Sequence, residues 1–567
     1  MLRHIRWQLL LIVLGVILAG ILLSFQAVGL VVDLVPASGG ILIEGVVGQP
    51  QYLNPLLSFR NPVDRDISAL VFEGLAGYDE HGQLVPSLAS GWNISMDGLV
   101  YTFWLRQDVR WQDGISFSAD DVLYTIQLLQ DPGYTGPADL GTLWREVEVE
   151  KISRSTVTFT LQEPFAPFLD FTTIGLLPAH LLDGIPAAEL PDLPFNRQPV
   201  GTGPFRVDDG GWRSDRVLLS ANGLYREGKI PKLAGVEFRF FPNHGALLAA
   251  FEEGEINSVS QLPVADMPRV RTVDDLNLFT SALPRYTMVL LNLQNEELSF
   301  FQDSKVRQAL LYGLDRPALI AEVLSGQGIV ADSPIYPGSW AYFGDVRRYE
   351  NDSDLAAEML DAAGWLLPEL DESDLPLVES EDGVRTQDSK ELSFTLTSAA
   401  GTTHDLLANE ISKQWAKLGV RVTILSVDPG QISQRLEEGE FAAILMDVDM
   451  RGDPDLYSLW SESAMQEGQN YGGWRDRNAS ELIEGARQLT SLGQRTTRYY
   501  HFQQIFADQV PALLLYYHTY TYGISDSVEQ VTVGPLTDPS DRFSTISDWF
   551  LVWREVVIRK SSPKYGW

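Results

Sequence analysis

The stretch "ILMDVDMRGDPDLY", Ile444 to Tyr457, sets Asp447 and Asp449 two residues apart and follows them with Arg451 and an Asp453-Pro454-Asp455 element. Residues two apart on a strand share a face, so the pair presents two carboxylates together, the groups that general acid–base chemistry uses. In a chain with 76 acidic and 42 basic residues such pairs also arise by chance. The rest of the sequence offers an enzyme little. No G-x-S-x-G elbow, H-E-x-x-H helix or G-x-x-x-x-G-K-[ST] phosphate loop is present. The seven histidines, at 4, 81, 180, 244, 404, 501 and 518, form no close pair at metal-ligand spacing. The absence of cysteine excludes disulfides, thiolate metal sites, a cysteine nucleophile and a lipid-modified cysteine. The reading is a non-enzyme that needs neither metal nor cofactor.

Composition narrows the class. A chain of 567 residues exceeds one compact core and implies two or three structural units. A formal charge of −34 argues against nucleic acid as a partner, because the whole surface repels a polyanion, and weakly favours cationic solutes. At the N-terminus, Arg3, His4 and Arg6 precede the apolar run Leu9 to Phe25, and apolar character resumes through Val32. That run is longer than the roughly 7–15 residues of a cleaved signal core and close to the roughly 20 that span a bilayer. The expectation is an uncleaved anchor over residues 1–38, its basic flank cytoplasmic and everything from about Gly39 outside. Cleavage near Ala37, Ser38 and Gly39 is the alternative.

The elements that position the acidic pair follow from periodicity. Leu99, Tyr101, Phe103 and Leu105 alternate with Val100, Thr102, Trp104 and Arg106 as in a half-buried strand. Asp113-Gly114 marks a turn, and Ser118 with Asp121 forms a capping box that opens a helix running to Leu129. Similar strands and helices interleave along the chain without a fixed repeat, which reads as α/β. Leu367 to Glu391, acidic and poor in aromatics, reads as a solvated surface insertion.

A family resemblance rests on an ordered series of motifs. It includes "LNPLLS" (Leu53 to Ser58), the stretch from Val71 to Leu129, "PVGTGPFRV" (Pro199 to Val207), "SKVRQALLYGLDRPALIAEVLSGQG" (Ser304 to Gly328), "NEISKQWAKLGVRV" (Asn409 to Val422), "GDPDLYSLW" (Gly452 to Trp460) and "RFSTISDWFL" (Arg542 to Leu551). Over about Gly40 to Leu551 the chain resembles the extracytoplasmic solute-binding proteins of peptide-type ABC transporters, family 5, among them the oligopeptide- and dipeptide-binding proteins. The resemblance implies a two-lobe periplasmic-binding-protein-like fold of the large cluster C type, with an extra subdomain in the first lobe. Lobe I would comprise 40–75, 200–285 and 512–553, the extra subdomain 76–199 and lobe II 286–511, leaving 554–567 as a tail. It implies a peptide or related small solute as ligand and ABC permease and ATPase subunits as partners. A membrane-tethered sensor without a permease is the alternative.

In the family an aspartate shortly before the Asp-Pro element meets the ligand's amine. The resemblance makes Asp449 the first candidate and Asp447 the second, with spacing one residue longer than the family pattern. The competing reading is an acidic loop satisfied by Arg451 or by backbone amides. Tyr457 and Trp460 are candidates to wall the cavity or to join the lobe core. Asn54 faces the cleft by resemblance, or only forms the Asn-Pro turn. Trp340 and Tyr342 resemble a loop near the ligand, and Arg307 and Arg316 read as scaffold ion pairs.

Overall fold

The expected strand forms at Val100–Leu105, and its alternating side chains decide its neighbours: Tyr101 and Phe103 are fully buried while Trp104 is exposed. It lies inside a four-stranded antiparallel sheet, in the order Ala89–Ile94, Val100–Leu105, Thr156–Thr160, Glu148–Ser153. The helix Ala119–Gln130 follows with the expected capping box. The Ser118 backbone N–H donates to Asp121 Oδ2 at 2.9 Å, and the other oxygen of that carboxylate accepts the Ala179 N–H at 2.9 Å. One acid therefore starts the helix and fastens the next segment to it. The chain is seen in a computed structural model that describes residue 7 and residues 11–21, 30–226, 229–368 and 383–559.

Two long strands, Leu276–Leu291 and Ala512–Ser525, run antiparallel through the centre of an eleven-stranded sheet. One end of the Ala512–Ser525 strand joins Ser258–Val259 and, through it, Ile41–Val47 and Gly235–Phe241. The other end of the Leu276–Leu291 strand joins Ala443–Asp449, and through it Ser393–Ala399 and Arg421–Val427. The two strands are thus the crossings between the two lobes, and their pairing breaks register between Ala282 and Tyr286. Side chains alternate across a strand, so Val289 and Leu291 enter one core of the second lobe while Met288 and Leu290 enter the other. The first lobe shares one core with the four-stranded sheet, from Leu42 and Tyr101 to Phe238 and Trp549.

A fully buried arginine ties the first lobe together. Arg542 donates to Glu44 Oε1 at 2.9 Å and to both oxygens of Asp66 at 2.7 and 2.8 Å. The Tyr522 hydroxyl, from a crossing strand, donates to Glu44 Oε2 at 2.8 Å. Burial pushes the Glu44 carboxyl up against the lowering influence of Arg542, whereas the guanidinium, despite burial, is held charged by Asp66 and its other neighbours. Arg316 pairs with Asp332 at 2.8 Å as expected. Arg307 differs: its guanidinium donates to the carbonyls of Phe301, Gln509 and Val510, the carbonyl end of a helix serving where a carboxylate was expected.

Segments near the two ends of the described chain meet in one sheet. Leu30–Ala37, inside the expected anchor segment, is a strand paired antiparallel with Val552–Arg559, which includes residues 554–559 of the expected tail. Both are rich in β-branched residues, and each supplies the other's backbone partners. Residues 11–21 are helical, and among the described residues no helix is long and apolar enough to cross a membrane; parts of the Leu9 to Phe25 run lie outside the described residues. Most of the acidic insertion also lies outside them. Its C-terminal flank is not merely solvated, because Arg385 is buried and donates to Leu418 O at 2.6 Å and Trp365 O at 2.7 Å.

Removing one member of a buried ion network leaves the others uncompensated. Arg542→Met is expected to lower unfolding free energy by about 3–5 kcal/mol, read from urea unfolding curves. A change below about 1 kcal/mol would show that the network is dispensable.

Candidate functional site

A cavity of about 1030 Å³ lies between the lobes. Its wall combines Glu73, Tyr78, Phe165 and Asp170 on one side, the segment Met446 to Asp453 on the other, and Asp538 and Asp541 from the C-terminal part. A second cavity of about 350 Å³ shares Asp449 and Arg451 with it, so these two residues stand between the two spaces.

The acidic pair sits at the end of strand Ala443–Asp449, and its members have different surroundings. Asp447 is mostly buried. Its Oδ1 accepts the Thr287 hydroxyl at 2.6 Å and lies 3.0 Å from His404 Nε2 and 3.2 Å from His518 Nε2, while Oδ2 accepts Arg285 at 2.7 Å. Burial alone would push this carboxyl up, yet the hydrogen bonds and positive potential of the two histidines hold it well below the usual carboxylate range. Thr287 and Arg285 come from one crossing strand and His518 from the other, so Asp447 braces the hinge. Asp449 is nearly half exposed and pairs with Arg451 Nη2 at 3.0 Å. Arg451 also reaches Asp538 across the cleft at 3.3 Å.

The strand carrying the pair has an incomplete edge. One side pairs with Arg285 to Leu291 throughout, but the other meets Ser393–Ala399 only at Ala443 and Ile444. From Leu445 to Asp449 that edge has no partner strand among the described residues, and Met446 to Asp449 line the cavity.

The Asp-Pro element anchors the floor. Asp453 takes Arg495 on both oxygens, with Nη1 at 2.6 Å, and the same guanidinium lies 4.9 Å from the Trp340 ring. Arg487 pairs with Asp455 at 3.1 Å and stacks over Tyr457 at 4.5 Å and Phe165 at 4.9 Å, touching both lobes.

Asp449, Asp447 and the Asp-Pro element therefore come together at the cavity, and the other candidates lie elsewhere. Trp460 is buried against Trp474 and Phe506 in the lobe core, and Tyr457 lies under Arg487. Trp340 backs the Asp453–Arg495 pair, and Tyr342 packs on the core beside it. Asn54 is fully buried, its Oδ1 accepting the Leu56 N–H at 3.0 Å and its Nδ2 donating to Asn196 Oδ1 at 3.1 Å, as a turn former does. None of these five lines either space between the lobes. Sequence reasoning passed over Asp170, Tyr78, Arg495 and the His404–His518 pair, because nothing local marks residues whose partners lie far along the chain. Among the described residues no group of three or more histidine, aspartate or glutamate side chains is set to hold a metal ion.

Two lobes joined by two crossing strands, with a polar cavity between them, define a protein that holds a solute by closing on it. The chain belongs to the bacterial extracellular solute-binding proteins, family 5, whose middle region it matches over residues 83–468. It is 30% identical to the oligopeptide-binding protein AppA of Bacillus subtilis (strain 168), covering 91% of this chain and 92% of that protein. It is 28% identical to the dipeptide-binding protein of Escherichia coli (strain K12), over 86% of this chain and 91% of the other. The structure of Bacillus subtilis AppA in complex with a nonapeptide matches with a TM-score of 0.65 at 28% identity, covering 91% of this chain and 100% of that one. HbpA2 from Haemophilus parasuis shares the fold, with a TM-score of 0.76 at 24% identity over 88% and 99% of the two chains.

The lowered Asp447 carboxyl fixes a pH dependence. A group whose pKa falls on folding contributes stability that is present above its unfolded value, about 3.9, and is lost as pH falls below it. The difference in urea midpoint between the native protein and Asp447→Asn should shrink as pH falls below about 4. A difference that stays constant to pH 2.5 would contradict the assignment.

Proposed function

We propose that this chain is the extracytoplasmic solute-binding component of an ABC importer, taking peptides or solutes with similar charged ends between its lobes and delivering them to a membrane permease with its ATPase. Membership of family 5 and the names of the oligopeptide- and dipeptide-binding relatives support the importer reading. The observation that carries the choice of ligand is the Asp449–Arg451 pair at the wall of the interlobe cavity. A zwitterionic ligand exchanges this internal pair for two external ones, its amine going to Asp449 and its carboxylate or a carbonyl to Arg451. The open edge from Leu445 to Asp449 suits an extended ligand backbone added as a further strand, a mode that supplies affinity without demanding a particular side chain. A volume of about 1030 Å³ suits a short peptide.

In this reading the ligand bridges the lobes and shifts the population from open to closed. The Arg451–Asp538 pair and Arg487 over Phe165 are contacts that the closed form gains. The lobes are taken as 40–75, 200–285 and 512–553 for the first, with 76–199 as its extra subdomain, and 286–511 for the second. The apolar run from Leu9 to Phe25 serves as the anchor that holds the chain at the outer face of the membrane.

Charged hydrogen bonds contribute roughly 1.5–3 kcal/mol. Asp449→Asn should therefore weaken binding by about 10- to 150-fold in calorimetric titration with the peptide the native protein carries, with Asp447→Asn affecting melting more than affinity. Unchanged affinity in Asp449→Asn would move the amine site elsewhere. On anchoring, the full-length protein should stay in the membrane fraction after a high-salt wash while a chain beginning at Gly39 is soluble. Native mature protein starting near Gly40 in the soluble exported fraction would refute the anchor.

A further inference from the structure

Ten carboxylate side chains and three basic ones line the interlobe cavity, and nearly all the acids are matched. Asp449, Asp453, Asp455 and Asp538 each pair with an arginine, Asp447 has Arg285 and two histidines, and Asp541 accepts two backbone N–H groups. Asp170 differs. It makes no ion pair among the described residues, and its carboxylate is held by the Tyr78 hydroxyl.

Its position makes that absence matter. Asp170 lies on the short helical segment Ala166–Thr173, and the loop after the acidic strand closes directly on it. A Cβ on Gly452 would stand 3.2 Å from Asp170 Oδ1, tighter than ordinary contact, and its φ of +78° is one that glycine adopts freely, so the second lobe comes close to Asp170 here. Burial, and then the like charge of Asp453, push the Asp170 carboxyl up to about 7, against the lowering effects of the Tyr78 bond and of Arg495. The other buried acid on the same wall is paired, which sets Asp170 apart from it. Glu73, whose side chain is nine-tenths buried, forms an ion pair with Arg226 and accepts the Tyr225 hydroxyl at 3.1 Å through Oε1. Of these two acids, Asp170 alone faces the cleft without a cationic partner among the described residues.

We propose that the cavity selects ligands carrying a cationic side chain, a lysine- or arginine-containing peptide, whose charge is set against Asp170 beside Tyr78. This rests on the reading of the cavity as a peptide site and adds a preference to it. The amine of the ligand and its cationic side chain then occupy opposite walls, Asp449 on the second lobe and Asp170 on the first, so the same ligand that bridges the lobes also neutralises both faces. A ligand cation displaces a proton from Asp170. The groups that share this balance are Tyr78 on its own side, Asp453 and Arg495 facing it, and Asp541 on the same cavity, which acts on Tyr78 and is itself pushed up to about 7 by burial.

The test is calorimetric titration of the native protein and of Asp170→Asn with Ala-Lys-Ala, Ala-Ala-Ala and Ala-Glu-Ala. The native protein should bind the lysine peptide at least about tenfold more tightly than the glutamate peptide. Asp170→Asn, nearly the same shape, should abolish that difference and leave Ala-Ala-Ala within about twofold. Affinity for the lysine peptide should rise from pH 6 to 8, with protons released on binding. If Asp170 is merely a carboxyl that takes up a proton on closure, all three peptides will bind less tightly as pH rises and the proposal is overturned. Equal affinity for the three peptides in the native protein also overturns it while leaving the peptide site intact, a result that does not depend on any variant folding. No binding of any of them overturns the peptide reading and this preference together.

Discussion

The first lobe is held by a single buried positive charge. Arg542 has no exposed surface, and its partners Glu44 and Asp66 come from a strand and a helix near the other end of the chain. Glu44 is 498 residues away in sequence. A guanidinium removed from water is tolerable only where its donors are met by ionised acceptors in good geometry, so the C-terminal segment has one place to dock. Tyr522 ties the same cluster to a crossing strand. The alignment of the crossing strands with the first lobe, and hence the position of the cavity between the lobes, depends on this arrangement.

The same electrostatic logic recurs towards the cleft with less compensation. At the hinge Asp447 is over-supplied with donors, from both crossing strands and from His404, which fixes the direction in which the acidic strand leaves the sheet. At the cavity wall Asp449 has one arginine and stays nearly half exposed. Across the cleft Asp170 has only a hydroxyl. Of these three acids the one at the hinge has the most donors and the one across the cleft the fewest.

Closure has a matching structural basis. Arg451 and Arg487 reach from the second lobe to Asp538 and Phe165 on the first, contacts at partly exposed positions that each contribute modestly. Such contacts suit a two-state device, because a closed form held too firmly without ligand would leave a solute little differential free energy to contribute. Gly452 lies where the walls come close.

Much of the fold was legible in the sequence. Alternation marked the strand at Val100–Leu105, Ser118 and Asp121 marked the helix start, and the ordered motifs carried the family. These signals are local: a period of two or 3.6 and a cap within three residues survive in a linear reading. The position of Asp447 and Asp449 beside an Asp-Pro element was legible for the same reason. Their partners were not. His404 and His518 lie 43 and 71 residues from the aspartate they brace, and nothing in their neighbours marks them as a pair. Trp460 could wall a cavity or fill a core by its chemistry, and packing against Trp474 and Phe506 put it in the core. Leu30–Ala37 read as a continuation of an apolar anchor until a strand from the far end of the chain supplied its hydrogen bonds. Local pattern was enough for segments such as Val100–Leu105 and Ala119–Gln130, whose signals lie within a few residues. Which charges are buried and matched emerged with the packed fold, because desolvation and pairing depend on neighbours in space and not on neighbours in the chain.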